Sequence, residues 1–119
     1  MGAPTKYTKS MCETALEILS RGKSLAAVCS ALNITRPTLY EWRDGNAEFK
    51  KAIDIGLQKA QEVWEEIGED GIKGNYEKFG AAPWIFTMKN RFRDDYTEEK
   101  ESKTISDTIV EKLIDRLVD

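Results

Sequence analysis

Residues 25–44 read LAAVCSALNITRPTLYEWRD, and this stretch decides the fold. Two short helices packed nearly perpendicular across a tight turn place strict demands on a few positions. A small residue is needed where the helices cross, and Cys29 supplies it. The turn needs a residue that tolerates positive φ, and Asn33 is second only to glycine in that respect. Apolar side chains must point between the helices, and Val28, Leu32, Ile34, Leu39 and Trp42 fill those slots. Thr35 is placed to cap the second helix, with Pro37 in its first turn. The pattern is that of a helix-turn-helix.

The side chains left facing outward are Thr35, Arg36, Pro37, Tyr40, Glu41 and Asp44, with Arg43 at the edge. When such a pair binds DNA, the N-terminal part of its second helix enters the major groove. Arg36 is then the candidate for a bidentate contact to guanine, worth about 1–3 kcal/mol of base discrimination. Thr35, Thr38 and Tyr40 are candidates for phosphate contacts, which position the helix without reading sequence. Lys6, Lys9, Arg21 and Lys23 add backbone contacts from the arm and the first loop. A three-helix packing unit with no ligand remains the alternative, and Glu41 and Asp44 favour it by placing negative charge on the same face.

Working outward, the spacing predicts an all-α chain in four segments, with no internal repeat. Residues 1–9 form a short arm. Residues 10–45 hold three helices, the first opened by a Ser10–Glu13 capping box and ended at Gly22. In that first helix Cys12, Ala15, Leu16 and Leu19 share a face. Residues 46–96 read as a helical hairpin. Asn46 caps its first helix, whose apolar stripe is Phe49, Ile53, Leu57, Ala60, Trp64 and Ile67. Residues 69–75 then break it, with Gly71 and Gly74 as punctuation. A second helix starts near Pro83 and carries Trp84, Ile85, Met88 and Phe92 inward. Residues 97–119 open with a charged linker and close with a helix bearing Ile105, Ile109, Val110, Leu113, Ile114, Leu117 and Val118.

The 119 residues carry 18 Lys plus Arg against 21 Asp plus Glu, a formal charge of −3, and no histidine. A chain of this size buries about two-thirds of its unfolded surface and needs no disulfide or metal to fold. Without histidine, every Ser-His, Cys-His and His-ligand site is excluded. There is no Gly-rich phosphate loop, metal cluster or recognisable carboxylate pair either, so neither enzyme nor cofactor is expected. Cys12 and Cys29 have neither CxxC nor zinc spacing and are expected reduced and buried. The longest nearly apolar run, 81–88, is far short of the roughly 20 residues that span a bilayer. The first residues lack the apolar core of a signal peptide, and Lys6 stands where N-myristoylation wants Ser or Thr. The expectation is therefore a cytoplasmic protein without a membrane.

An acidic total argues against nucleic-acid binding through bulk charge. Its distribution says more. Residues 1–45 are net +2, residues 46–74 net −3, residues 75–96 net +1, and residues 97–119 net −3. The acid lies in the middle helix and the tail.

Pro4-Thr-Lys-Tyr7, then Gly22-Lys-Ser-Leu-Ala-Ala-Val-Cys29, then Thr38-Leu-Tyr-Glu-Trp42 occur in an order that resembles the N-terminal domain of small terminase subunits of tailed bacteriophages. Further on, Trp84-Ile-Phe-Thr-Met-Lys-Asn-Arg-Phe92 ahead of Tyr96 is similar to a segment that follows the helical hairpin in those proteins. The resemblance covers residues 4–96. Its first half is shared with many regulators and transposase accessory proteins, and the second half is the more telling. It implies a non-enzymatic factor in the cytoplasm of an infected bacterium. Such a factor forms a ring, binds the packaging-start region of double-stranded viral DNA, and recruits and regulates a large ATPase–nuclease subunit. Many relatives begin Gly-Arg-Pro; Ala3 stands here in place of that arginine, which weakens any minor-groove contact made by the arm.

Oligomerisation is also expected on physical grounds. A module at +2 neutralises few phosphates, so its affinity alone is low and steeply salt-dependent. Several copies on one frame raise it through effective concentration. Ile53, Gly56, Ala60, Trp64, Ile67, Trp84 and Met88 are the candidate oligomer contacts, with Gly56 and Ala60 allowing close helix approach. An intramolecular helix pair accounts for most of the same residues. In the last helix Ile109, Leu113 and Leu117 are candidates for assembly or large-subunit docking, with packing on the hairpin as the alternative. Lys89, Arg91 and Arg93 are either a secondary DNA contact or a solvated helix end. The competing function is a dimeric helix-turn-helix repressor or transposition accessory factor.

Overall fold

The structure is a computed structural model and describes residues 6–97 and 113–117. The described residues are helical, with no strand among them. In order they form α1 (Met11–Ser20), α2 (Leu25–Leu32), α3 (Arg36–Gly45), α4 (Ala47–Ile72), α5 (Ala81–Arg91) and α6 (Arg93–Tyr96). Residues 113–117 form a further helical stretch. The chain divides into two compact units, Met1–Glu77 and Lys78–Asp119.

In the first unit α1, α2, α3 and the N-terminal half of α4 close around one core. Ala15, Ile18 and Leu19 of α1 meet Val28, Cys29 and Leu32 of α2, Leu39 of α3, and Phe49 and Ile53 of α4. Phe49, Leu19, Leu39, Ile53 and Val28 are essentially inaccessible to solvent, and each contributes roughly 1.5–3 kcal/mol on burial. Ile34, Trp42 and Leu57 pack against this core half-buried. Gly56 lets α1 and α4 approach closely. A Cβ there would lie 2.6 Å from Leu19 Cδ1 and 2.8 Å from Leu19 Cβ.

Local chemistry explains where the helices stop. Gly22, at φ +88°, closes α1. Its carbonyl accepts a bond from Trp64 Nε1 at 2.8 Å, tying the loop to α4. Ser24, in extended conformation, caps α2 by accepting the Ala27 N–H at 3.3 Å. The Ser10–Glu13 capping box does not form. Ser10 is already in the right-handed helical region, whereas a capping residue is extended. The carbonyls of Thr8 and Lys9 accept the N–H groups of Met11 and Cys12 instead, at 3.0 and 3.1 Å.

The expected break at 69–75 is narrower than its composition suggests. α4 continues through Gly71 to Ile72, and only Gly74 adopts positive φ, at +83°. Asn46 makes no side-chain cap on α4. Its amide donates backward to the Trp42 carbonyl at 3.0 Å and so finishes α3.

In the second unit Met88 and Phe92 are buried and Trp84 is half-buried, edge-on to Tyr96 with ring centroids 6.3 Å apart. Pro83 lies in the first turn of α5, as expected. Ile85, expected inward, is exposed, as is Phe86. Met88 and Trp84 define the covered side of α5, and Ile85 and Phe86 fall on its other side, so the inward stripe is narrower than the run of apolar residues. Of the aliphatics in the last helix, Leu113, Ile114 and Leu117 are exposed. Ile105, Ile109, Val110 and Val118 lie outside the described residues, as do Ala3, Pro4 and most of the charged linker. Among the described residues no helix is long and apolar enough to cross a membrane.

Candidate nucleic-acid interface

The turn between α2 and α3 fixes the direction in which α3 leaves the core. Asn33 adopts φ 55° and ψ 49°, the one non-glycine residue at positive φ among the described residues. Its N–H bonds to the Ser30 carbonyl at 3.3 Å and the Ile34 N–H to the Cys29 carbonyl at 3.0 Å, the paired bonds of a Schellman motif. Ile34, just past that turn, packs against the core. Thr35 is extended, and its Oγ1 accepts the Thr38 N–H at 3.5 Å, with Pro37 in the first turn of α3. Leu39 is fully buried beneath, so the opposite side of α3 faces outward.

That outward side carries Pro37, Glu41 and Asp44, while Arg36, Tyr40 and Arg43 form a stripe that flanks Leu39. Tyr40, expected to face away from the core, is half-buried and packs against it. Arg36 Nε donates to the Tyr40 hydroxyl at 3.2 Å, and its guanidinium carbon lies 5.7 Å from the ring centroid. Arg43 places its guanidinium 4.8 Å from the same centroid and donates from Nε to Asp44 Oδ1 at 3.2 Å. Thr35, Arg36 and Pro37 are exposed, while Thr38, Tyr40 and Arg43 are half-buried. The hydroxyls of Thr35 and Thr38 are 3.1 Å apart. Arg36 also reaches the α2–α3 crossing electrostatically. Burial raises the Cys29 thiol pKa, and the Arg36 charge acts in the opposite sense.

The arm is anchored by a residue to which the sequence reading assigned no role. Tyr7 packs edge-on against Trp42 and Phe49, with centroids 5.4 and 5.7 Å away. Its hydroxyl donates to Glu48 Oε1 at 2.9 Å and sits 3.3 Å from Cys12 Sγ. Burial, and then its bonds to Cys12 and Glu48, raise the phenol pKa, so Tyr7 stays neutral. The Glu48 carboxyl is lowered by its own backbone N–H, then by Tyr7, with Lys9 adding a smaller Coulombic pull. An aromatic residue standing alone in a polar arm was the available signal for this anchor. Cys12 is half-buried rather than buried, and both cysteines are free thiols. Lys6, Lys9, Arg21 and Lys23 are all exposed.

The remaining candidates lie elsewhere. Ile53, Gly56 and Ala60 are buried, and Ile53 belongs to the core closed by α1, while Gly56 abuts Leu19. These positions are spent inside the unit. Trp64 and Ile67 are half-buried, and Trp64 is tied to Gly22. Met88 is buried and Trp84 half-buried in the second unit. Lys89 and Arg93 are exposed, whereas Arg91 is half-buried. Its guanidinium lies 5.3 Å from the Phe92 ring, and desolvation lowers its pKa.

Beside the end of α1, a shallow depression of about 560 Å³ is lined by Ser20, Lys59, Glu62, Val63, Glu65, Glu66 and Glu69. Four carboxylates against one ammonium repel a phosphate, so this surface is no place for nucleic acid. Among the described residues no group of three or more acidic or cysteine side chains is arranged to hold a metal ion. Comparisons with protein-family models, curated proteins and solved structures return no match to this chain.

Proposed function

We propose that this chain is an oligomeric DNA-recognition adaptor of the small-terminase kind. Its α2–α3 pair serves as a helix-turn-helix, with α3 as the reading helix. In this reading several copies form a ring, bind double-stranded viral DNA at the packaging start in the cytoplasm of the infected host, and recruit a large ATPase–nuclease subunit. The chain performs no chemistry of its own. The resemblance in residues 4–96 motivates the viral part of the proposal.

One observation carries the DNA-binding part. Arg36 stands exposed at the first position of α3, one turn ahead of buried Leu39. A cation at a reading helix's N-terminus meets base edges first. The positive end of the helix dipole adds attraction for phosphate. Exposed Lys6, Lys9 and Lys23 supply the electrostatic part.

Gel retardation of a mixed-sequence duplex at low salt tests this. The parent chain retards the duplex, and Arg36→Ala weakens binding by about fivefold or more. Unchanged affinity together with unchanged sequence preference removes Arg36 from the interface. Native mass measurement tests assembly. A species many times the mass of one chain agrees with the ring, and a dimer favours the repressor.

A further inference from the structure

We infer that Tyr40 is a positioning residue that presents the Arg36 guanidinium end-on, with its two terminal nitrogens aimed as a fork for guanine. The inference rests on the DNA-binding reading above and adds to it the substrate feature that α3 selects.

Tyr40 is itself among the side chains expected to bond phosphate. Its hydroxyl accepts Arg36 Nε at 3.2 Å, and its own O–H remains a donor that a phosphate oxygen can accept. A guanidinium offers five N–H donors in a planar fork. With Nε committed to Tyr40, the side-on edge that pairs Nε with one terminal nitrogen is closed. The two terminal nitrogens remain, and they form the end-on fork that matches the O6 and N7 acceptors of guanine in the major groove.

Arg43 repeats the arrangement two turns further along α3. Its Nε is bound to Asp44 at 3.2 Å, and its guanidinium lies 4.8 Å from the Tyr40 centroid. The two arginines are not equivalent, however. Arg36 bonds a phenol oxygen and has no carboxylate partner in its hydrogen bond. Arg43 is paired with a carboxylate that competes with phosphate for it. Tyr40 attracts both cations through its ring and bonds Arg36 through its hydroxyl.

An unrestrained arginine pays in side-chain freedom when it docks. A restrained one pays less, and only in the orientation in which it is restrained. The gain therefore falls on discrimination between bases more than on bulk affinity, which follows the number of neutralised phosphates.

The test is selection from a random-sequence duplex pool, with bound duplexes sequenced, using the full-length parent, Tyr40→Phe and Arg36→Ala. Affinity for the unselected pool is measured beside it. The parent enriches guanine at one position of its selected site. Tyr40→Phe keeps the ring under Arg43 and removes the acceptor. It is expected to lose about three- to tenfold of the guanine preference, more than it loses of affinity for the unselected pool. Arg36→Ala loses the preference altogether. Unaltered preference in Tyr40→Phe overturns the positioning role and leaves the DNA reading standing. Equal losses of pool affinity and preference also overturn it, because they mark a general structural effect. A parent that selects no site, or an Arg36→Ala protein that selects the parental site, overturns this inference, and a parent that binds no duplex overturns the DNA reading itself.

Discussion

Gly56 shows how one hydrogen atom sets the distance between two helices. A side chain added there meets Leu19 at 2.6 Å to Cδ1, 2.8 Å to Cβ and 3.2 Å to Cγ. The Cδ1 clash alone would be relieved by a rotamer change, but Cβ is fixed to the α1 backbone, so α1 itself must move. In an unencumbered helix Gly→Ala stabilises by about 0.8–1 kcal/mol. Here overpacking dominates, and Gly56→Ala is expected to destabilise the chain by about 1–3 kcal/mol, read as a lower urea midpoint. Stabilisation would show that α1 and α4 separate freely. The sequence placed Gly56 at a close helix contact, but whether the neighbour was the chain's own α1 or another copy depended on packing across 37 positions, which spacing cannot convey. Asn33 is the opposite case. Few residue types accept a left-handed conformation, so its role was legible from identity alone. Tyr7 was not, because its partners Trp42, Glu48 and Phe49 are distant in sequence.

At the scale of the element, α4 is two helices in one. It runs 26 residues, about 39 Å. Its first fourteen residues bury Phe49, Ala52, Ile53, Gly56 and Ala60, whereas Gly68 is the single buried residue of the remainder. Glu62, Glu65, Glu66 and Glu69 crowd the second half at three- and four-residue spacings, where like charges repel. The last turn also holds no basic residue to complement the negative end of the helix dipole. Glu69→Lys is therefore expected to stabilise this half by about 0.3–1 kcal/mol, seen as slower amide exchange near the helix end. Unchanged or faster exchange would mean that these carboxylates serve a contact outweighing their repulsion. The same region shows why the helix end was hard to place from sequence. Gly71 costs a helix about 1 kcal/mol but does not stop it. Gly74, at φ +83°, does.

For the molecule as a whole, uneven charge matters more than the net −3. The cations of the first 45 residues stand on the arm, the first loop and α3, while the glutamates of α4 line a separate depression. The all-helical character was legible throughout, because period and punctuation agree locally. The division into Met1–Glu77 and Lys78–Asp119 was not, since it depends on which helices share a core.

The contact between Tyr7 and Cys12 has a practical consequence: the arm carries a built-in chemical gauge of its own position. Cys12 Sγ lies 3.3 Å beneath the Tyr7 hydroxyl, whereas Cys29 is sealed in the core with its thiol held protonated by burial. An alkylating reagent should therefore reach Cys12 only as often as Tyr7 lifts away, and Cys29 only on global opening. Tyr7→Ala is expected to speed Cys12 labelling several-fold while leaving Cys29 slow, read by mass spectrometry of the labelled peptides. Equal Cys12 rates in the two proteins would show that the arm does not cover the thiol. Labelled in the presence of duplex DNA, the same cysteine would time how long Lys6 and Lys9 stay engaged.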